Sequence, residues 1–286
     1  MTLEDLTAKA RKTLEGVYDI RERENVIDLL IEEHFNIPKH RLRLNMQEDF
    51  NHESTKEFMH LLERLKKNEP VQYVLGFSDF YGMKMKVNKH VLIPRPETEE
   101  LVGHVIKQLG HLSKKCTLSI LDIGTGSGCI AIALKKYLPS CKVTGIDVSE
   151  EAIGVAIENA TKENSRVDFF VKDFLSEKNW SSLEIFDVII SNPPYVTEAE
   201  FQTLTPRVKN FEPRKALIAE DRDSFIFYNK IAVFGKTHLR KGGRIFLELN
   251  SSYSKAIKAV FKVASYHTAI LNDMQGNERI LDVQKP

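Results

Sequence analysis

Two short segments of the 286-residue chain combine residue types that could do chemistry, and the first is Asn192-Pro193-Pro194-Tyr195. Prolines lack N–H groups and hold φ in a narrow range, so this run is stiff and presents carbonyl oxygens. The Asn192 carboxamide oxygen and the Pro193 carbonyl can then accept the two hydrogens of one NH2 group, while Tyr195 offers a face to a flat substrate. An amide or aniline-like nitrogen has a delocalised lone pair and is a weak nucleophile. Fixing both of its hydrogens lets the lone pair turn toward an alkyl donor, so positioning and preorganised hydrogen bonds supply the catalysis and no strong general base is needed. The bland alternative is a proline turn that closes a strand. The motif does not separate a glutamine side-chain amide from the exocyclic amine of adenine, cytosine or guanine.

The second segment, Ile120-Leu-Asp-Ile-Gly-Thr-Gly-Ser-Gly-Cys-Ile130, holds glycines at alternate positions between an expected strand and an expected helix. Gly124, Gly126 and Gly128, with Thr125 and Ser127 between them, let a ligand approach the backbone at a helix N-terminus. No lysine follows, so this is no Walker loop, and Cys129 stands where a dinucleotide fingerprint needs its third glycine. Asp122, two residues before Gly124, would repel a pyrophosphate but pair with an ammonium. S-adenosylmethionine carries that ammonium and no phosphate. Asp147 closes the next strand, where a carboxylate can accept both ribose hydroxyls. Asp173 and Phe174 close the third, where they could bind the adenine amino group and stack on the base. Each residue alone reads as a turn, a helix cap or core; together they describe one pocket.

These residues must be placed by a scaffold, and the apolar pattern supplies one. Strands are expected at Leu118–Ile123, Lys142–Asp147, Val167–Val171, Phe186–Ile190 and Arg244–Leu249, separated by helical stretches that begin with 98–109. That alternation predicts an α/β fold, a mostly parallel sheet with helices on both faces and ligands at the carboxyl ends of the strands. The last two strands, His267–Leu271 and Glu278–Val283, lie too close in sequence for a crossover helix and should pair antiparallel. Residues 1–69 read as a small helical N-terminal domain, with Thr2 and Asp5 at a helix start and Pro70 closing the last helix. Residues 70–97 read as a β-hairpin linker between domains, and 98–286 as the cofactor-binding catalytic domain.

Composition bounds the rest. With 41 Lys+Arg against 40 Asp+Glu, no overall charge draws the chain to nucleic acid or acidic membranes. The three cysteines, Cys116, Cys129 and Cys141, lack metal-like spacing and fit free thiols in a reducing compartment. His34, His60 and His104 read as surface or helix residues with no ligand spacing, so no metal is expected. The opening residues lack a signal-peptide core, and no apolar run approaches a membrane span, so a cytoplasmic location is expected.

The chain resembles the release-factor glutamine methyltransferases, the PrmC/HemK type of protein-(glutamine-N5) methyltransferase, over nearly its whole length. The resemblance rests on Glu69-Pro-Val-Gln-Tyr73 with Gly76, on Val91-Leu-Ile-Pro-Arg-Pro-Glu-Thr-Glu99, and on the glycine loop. It extends through Asn192–Tyr195, Phe211-Glu-Pro-Arg214 with Ala216-Leu217, and Asp273 to Arg279. It implies a class I S-adenosylmethionine-dependent (Rossmann-like) fold and a helical domain for substrate recognition. The implied partner is a class-I peptide-chain release factor, methylated on the glutamine of its Gly-Gly-Gln loop. It implies that Gly124 to Gly128, Asp147, Phe174 and Asn192 line the cofactor site and that Asn192 to Tyr195 hold the glutamine. This chain departs from the family at Glu248-Leu-Asn250, where Glu-x-Gly is usual, and at Ile218–Ser224, where a glycine-rich stretch is usual. A nucleic-acid amino-methyltransferase would share the Asn-Pro-Pro-Tyr chemistry but must also flip a base and hold phosphates. Near-neutral charge and the lack of a long inserted domain weigh against it, and Lys84, Lys86, Arg207, Lys209, Arg214 and Lys215 read as a solvated face. A non-catalytic scaffold should have lost the glycines or the tetrad, and both are intact.

Overall fold

A computed structural model describes residues 1–113, 116–218 and 223–286 of the chain. It divides into two compact units, Met1–Phe77 with Thr205–Phe211, and Ser78–Leu204 with Glu212–Pro286.

The first unit is helical. Thr2 caps the helix Leu3–Thr13 through a reciprocal bond with Asp5, as the sequence pattern requires. Helices Ile20–Phe35 and His52–Lys66 follow, and Leu3, Leu6, Ile27, Leu30, Phe58 and Leu62 form a shared core from which solvent is excluded. Two expectations need correction. Pro70 starts a further helix, Val71–Leu75, where the sequence pattern predicts the start of the hairpin. Proline presets φ at a helix start, and Gly76, at φ 81°, ends the turn in a conformation that costs glycine nothing. Arg64 fixes this short element by pairing with Glu69 and donating to the Tyr73 and Val74 carbonyls. Secondly, the unit recruits the distant helix Pro206–Phe211. Arg207 stacks over the Tyr18 ring at 3.7 Å, donates to the Val17 carbonyl and pairs with Glu22.

The second unit begins at Ser78, inside the hairpin β1 (Phe77–Phe80) and β2 (Met83–Lys86), which turns at Tyr81 and Gly82, both at positive φ. The hairpin is no linker: Phe80, Met83 and Met85 are core residues of this unit. Asn159 accepts from the Lys86 N–H and donates to the carbonyls of Lys86 and Ser127, which ties β2 to the glycine loop.

The remaining strands are β3 (Ser119–Ile123), β4 (Lys142–Asp147), β5 (Asp168–Val171), β6 (Phe186–Ser191), β7 (Leu239–Glu248), β8 (His267–Asn272) and β9 (Glu278–Gln284). Among the described residues they form one sheet in the order β5-β4-β3-β6-β7-β9-β8. The pairs from β5 through β7 are parallel, and β9 runs antiparallel to both β7 and β8. Ile120, Val188, Ile190 and Phe246 are buried against the hairpin and the helices Pro96–Ser113 and Cys129–Tyr137. Leu121, Ile189, Ile245 and Leu247 are buried with the helices Ile226–His238 and Ser254–Val263. Burial on both faces explains why these strands read as continuous apolar runs. The strand order reverses between β3 and β6, which opens a crevice at their carboxyl ends.

Candidate active site

The crevice collects most of the expected residues. Register pairs Ile123 of β3 with Ser191 of β6, and the Ser191 hydroxyl donates to the Ile123 carbonyl at 2.6 Å. Gly124 and Asn192 therefore leave adjacent strands at the same level. The glycine loop turns through φ of 72°, 55° and 80° at Gly124, Gly126 and Gly128. Gly128 is required for packing as well, since a Cβ there would lie 3.0 Å from Ala156 and Ile132 side-chain carbons. At Gly124 a Cβ would meet nothing within 4 Å, so its face is open to a ligand.

Asp122 is fully buried. Its Oδ2 accepts from the Thr125 hydroxyl at 2.6 Å, and Oδ1 is a buried acceptor with no partner among the described residues. Burial pushes its carboxyl up to about 7, against the opposing Thr125 bond and reinforced by the nearby Asp147 charge. A buried carboxylate oxygen without a partner suits a cationic group such as an ammonium. Asp147 accepts from the Gly126 N–H at 2.9 Å and from the Ser149 N–H at 3.0 Å, so it couples loop to strand end. Burial raises its pKa although these N–H bonds favour the charged form. Ser149, rather than Asp147, caps the following helix. Thr125 and Ser127 are buried loop residues, the latter held through its carbonyl bond to Asn159.

The third strand end departs from expectation. Asp173 is exposed and accepts from the Leu175 N–H, which forms a local turn. Phe174 is buried, with ring centroids 5.6 Å from Trp180 and 5.4 Å from Phe234, and its carbonyl accepts from the Trp180 indole. The ring belongs to the core, so the base-stacking role expected of it is withdrawn. An apolar residue directly after a strand satisfies either reading, and only its neighbours decide.

Around Asn192 and Tyr195 the structure reveals two residues that the motif reading missed. Asn192 Nδ2 donates to the Thr98 hydroxyl at 3.0 Å, Thr98 donates to Glu248 Oε2 at 2.6 Å, and the Tyr195 hydroxyl donates to Glu248 Oε1 at 3.0 Å. Burial raises the Glu248 pKa, while the Thr98 and Tyr195 bonds and the Arg279 charge oppose the rise. Burial, with the Glu248 charge and bond, holds the Tyr195 phenol far above its ordinary value. Glu248 is placed by register, since Leu247 of β7 pairs with Ser191. Thr98 lies near the start of the helix Pro96–Ser113, which begins two residues earlier than the apolar pattern predicts because proline suits the first helical position. The same run is anchored at Arg95, which pairs with buried Glu212, and at Ile93, whose N–H donates to Glu212. The signal was present: both residues lie in segments singled out by resemblance, but no local pattern shows that they touch.

The atypical Asn250 donates to both carboxylate oxygens of Glu200, and its own oxygen accepts from the Ser252 N–H. Residues 219–222 of the other atypical stretch lie outside the described residues. His104 is half-buried and its Nε2 lies 3.0 Å from Asp282, while His34 bonds the Ser54 carbonyl. Cys116, Cys129 and Cys141 are free thiols. Among the described residues no cluster of His, Cys, Asp or Glu is placed to hold a metal, and no helix is long and apolar enough to cross a membrane.

Residues 5–76 match the family model described as PrmC N-terminal domain, and residues 108–209 match Methyltransferase small domain. The release factor glutamine methyltransferase of Flavobacterium psychrophilum is 35% identical over 284 residues, which is 99% of each chain. The protein of that name from Bacteroides thetaiotaomicron is 36% identical over 98% of this chain and 99% of its own. That from Thermodesulfovibrio yellowstonii is 38% identical over 93% of this chain and 96% of its own. The sheet order with its antiparallel β9 is a class I methyltransferase fold, and the similarity spans both units from end to end. The chain belongs to the release factor glutamine methyltransferases.

Proposed function

We propose that this methyltransferase transfers the methyl group of S-adenosylmethionine to the side-chain amide N5 of the glutamine in the Gly-Gly-Gln loop of a class-I peptide-chain release factor. The observation that carries the reading is the β3–β6 register, which sets the glycine loop and Asn192 at neighbouring strand ends. The cofactor would supply an electrophilic methyl group on sulfonium. Asp122 would take the ammonium, the Gly124–Gly128 backbone would lie along the methionine and ribose portions, and Asp147 would accept from the ribose with the lone pairs left by Gly126 and Ser149. Asp173, exposed at the end of β5, remains in reach of solvent-borne groups and is assigned the adenine amine.

On the substrate side, Asn192 Oδ1 and the Pro193 carbonyl would accept the two amide hydrogens. With both hydrogens held, the nitrogen lone pair turns out of conjugation; the methyl carbon would part from the sulfonium sulfur as it bonds to nitrogen, and one nitrogen proton would pass to water during or after the transfer. Tyr195 supplies a flat wall and is kept neutral by its surroundings, so it takes no part as a base.

The nucleic-acid alternative is not favoured. Lys86, Arg207 and Arg214, three cations of the supposed patch, are paired with Glu158, Glu22 and Glu198. Phosphate binding would need these cations to exchange partners. The test is transfer of labelled methyl groups to a folded factor, to the same factor with its Gly-Gly-Gln glutamine replaced, and to RNA and DNA. Label confined to the unaltered factor supports the assignment, and label in either nucleic acid overturns it.

A further inference from the structure

The proposed reaction needs the Asn192 carboxamide to point its oxygen, not its NH2, at the substrate. A carboxamide alone has no such preference, because its two ends are nearly the same size and differ only in hydrogen-bonding sense. We propose that Thr98 and Glu248 are positioning residues that fix the sense of the Asn192 carboxamide, and that Glu248 at the same time holds Tyr195 against the substrate; this rests on the reading of Asn192 as the amide acceptor.

Glu248 is fully buried at the end of β7, and its carboxyl accepts from both hydroxyls that face it. Its two oxygens are engaged separately, Oε2 by Thr98 and Oε1 by Tyr195. The Thr98 hydroxyl has a single proton, and the 2.6 Å contact to Glu248 takes it. What Thr98 can offer Asn192, 3.0 Å away, is a lone pair, and a lone pair selects the NH2 end of the carboxamide. Asn192 Oδ1 is thereby turned to the other side. Reversing the amide would set oxygen against an oxygen that has no proton left to give, leaving a part-buried acceptor facing a lone pair.

The elements around this chain of bonds give it rigidity. Thr98 is buried at the start of an eighteen-residue helix, and Glu248 pairs with Ile280 of β9, one residue beyond the Ser191–Leu247 pair that joins β6 to β7. The Tyr228 hydroxyl donates to the Glu248 carbonyl, and Arg279 donates to the carbonyl of Leu249. Those bonds hold the backbone on which the carboxylate stands. Threonine and glutamate are thus used for proton sense rather than for contact with substrate: a residue that only filled this space could be apolar.

Thr98→Val keeps the shape and deletes the hydroxyl, whereas Thr98→Ser keeps the hydroxyl. Glu248→Gln places an NH2 donor in the carboxylate position and so scrambles the sense of the chain. Methyl transfer to the folded factor should show kcat down about tenfold to a hundredfold for Thr98→Val and for Glu248→Gln. KM for the factor should stay within about twofold, since the loss falls on orientation of the bound amide. Thr98→Ser should recover kcat to within about threefold of the parent. Affinity for S-adenosylmethionine, read by calorimetry, should be unchanged in all three. An independent readout is the Asn192 side-chain NH2 in the cofactor-free protein: its hydrogens should exchange with solvent slowly in the parent and in Thr98→Ser, and fast in Thr98→Val. Thr98→Val with parental kcat, or Thr98→Ser as impaired as Thr98→Val, overturns the proposal. Asn192→Ala run in parallel separates the two claims. Full turnover there refutes the amide-acceptor reading itself, whereas loss there beside a normal Thr98→Val refutes only the positioning role.

Discussion

Replacing Asp122 with asparagine should make the cofactor-free protein more stable and the enzyme worse. Asp122 is fully buried with one oxygen unpaired, and its carboxyl is pushed up from 3.8 to about 7. A folded-state pKa above the unfolded one means that the group favours the fold when protonated. That contribution is complete below 3.8, shrinks through the interval between 3.8 and about 7, and is gone above it. At about 1.4 kcal/mol for each pH step, the buried charge costs the cofactor-free fold up to about 4 kcal/mol at pH 8. The substituted amide carries no charge and keeps an acceptor for Thr125, so denaturant unfolding at pH 8 should show Asp122→Asn more stable, and the difference should vanish near pH 4. Trp180 is the single tryptophan and is buried in the catalytic unit, so its fluorescence reports that unit alone. Cofactor affinity should move the other way, weaker by about 1.5–3 kcal/mol through loss of a charge-assisted bond. In the parent protein, affinity should fall as pH drops below about 7, because the carboxyl must shed its proton to pair with an ammonium. A stability gain with no pH dependence, or parental cofactor affinity in the variant, would refute the reasoning.

Three further outcomes are expected. Asp147→Ala should weaken S-adenosylmethionine binding by about 1.5–3 kcal/mol in calorimetry, as ribose acceptors and the tie to Gly126 are lost together. Asn192→Ala should cut kcat by about 10²–10³ with the fold intact by circular dichroism, while Tyr195→Phe keeps its ring and loses less in the same assay. Arg207→Ala should lower the stability of the helical unit by about 1–2 kcal/mol in denaturant unfolding, because Tyr18, Glu22 and the Val17 carbonyl lose a shared partner.

What could be read in advance followed from local constraint. The β3, β4 and β6 runs are apolar because both faces are covered, and their ends carry Gly124, Asp147 and Asn192 at the crevice where sequence reasoning put them. Thr2 and Asp5 cap a helix through three-residue contacts that any sequence displays. The failures came where tertiary neighbours decide. Val71–Leu75 is too short for periodicity to speak, and its helix depends on Pro70, Gly76 and the side chain of Arg64. Phe174 could stack on a ligand or on Trp180, and only the packed aromatic cluster chooses. The hairpin read as a linker because its alternation says nothing about which unit buries Met83 and Met85. Thr98 and Glu248 are 150 residues apart, and Pro206–Phe211 joins a unit whose other residues end at Phe77. No window along the chain contains either relation.

Mass spectrometry of a folded class-I release factor, after incubation with the enzyme and S-adenosylmethionine, should find one added methyl group on the glutamine of Gly-Gly-Gln and none when that glutamine is replaced. A short peptide carrying Gly-Gly-Gln should be a much poorer substrate, since it lacks the remote contacts that align the amide. Methylation that persists in the glutamine-replaced factor, or that appears on RNA or DNA, would contradict the account.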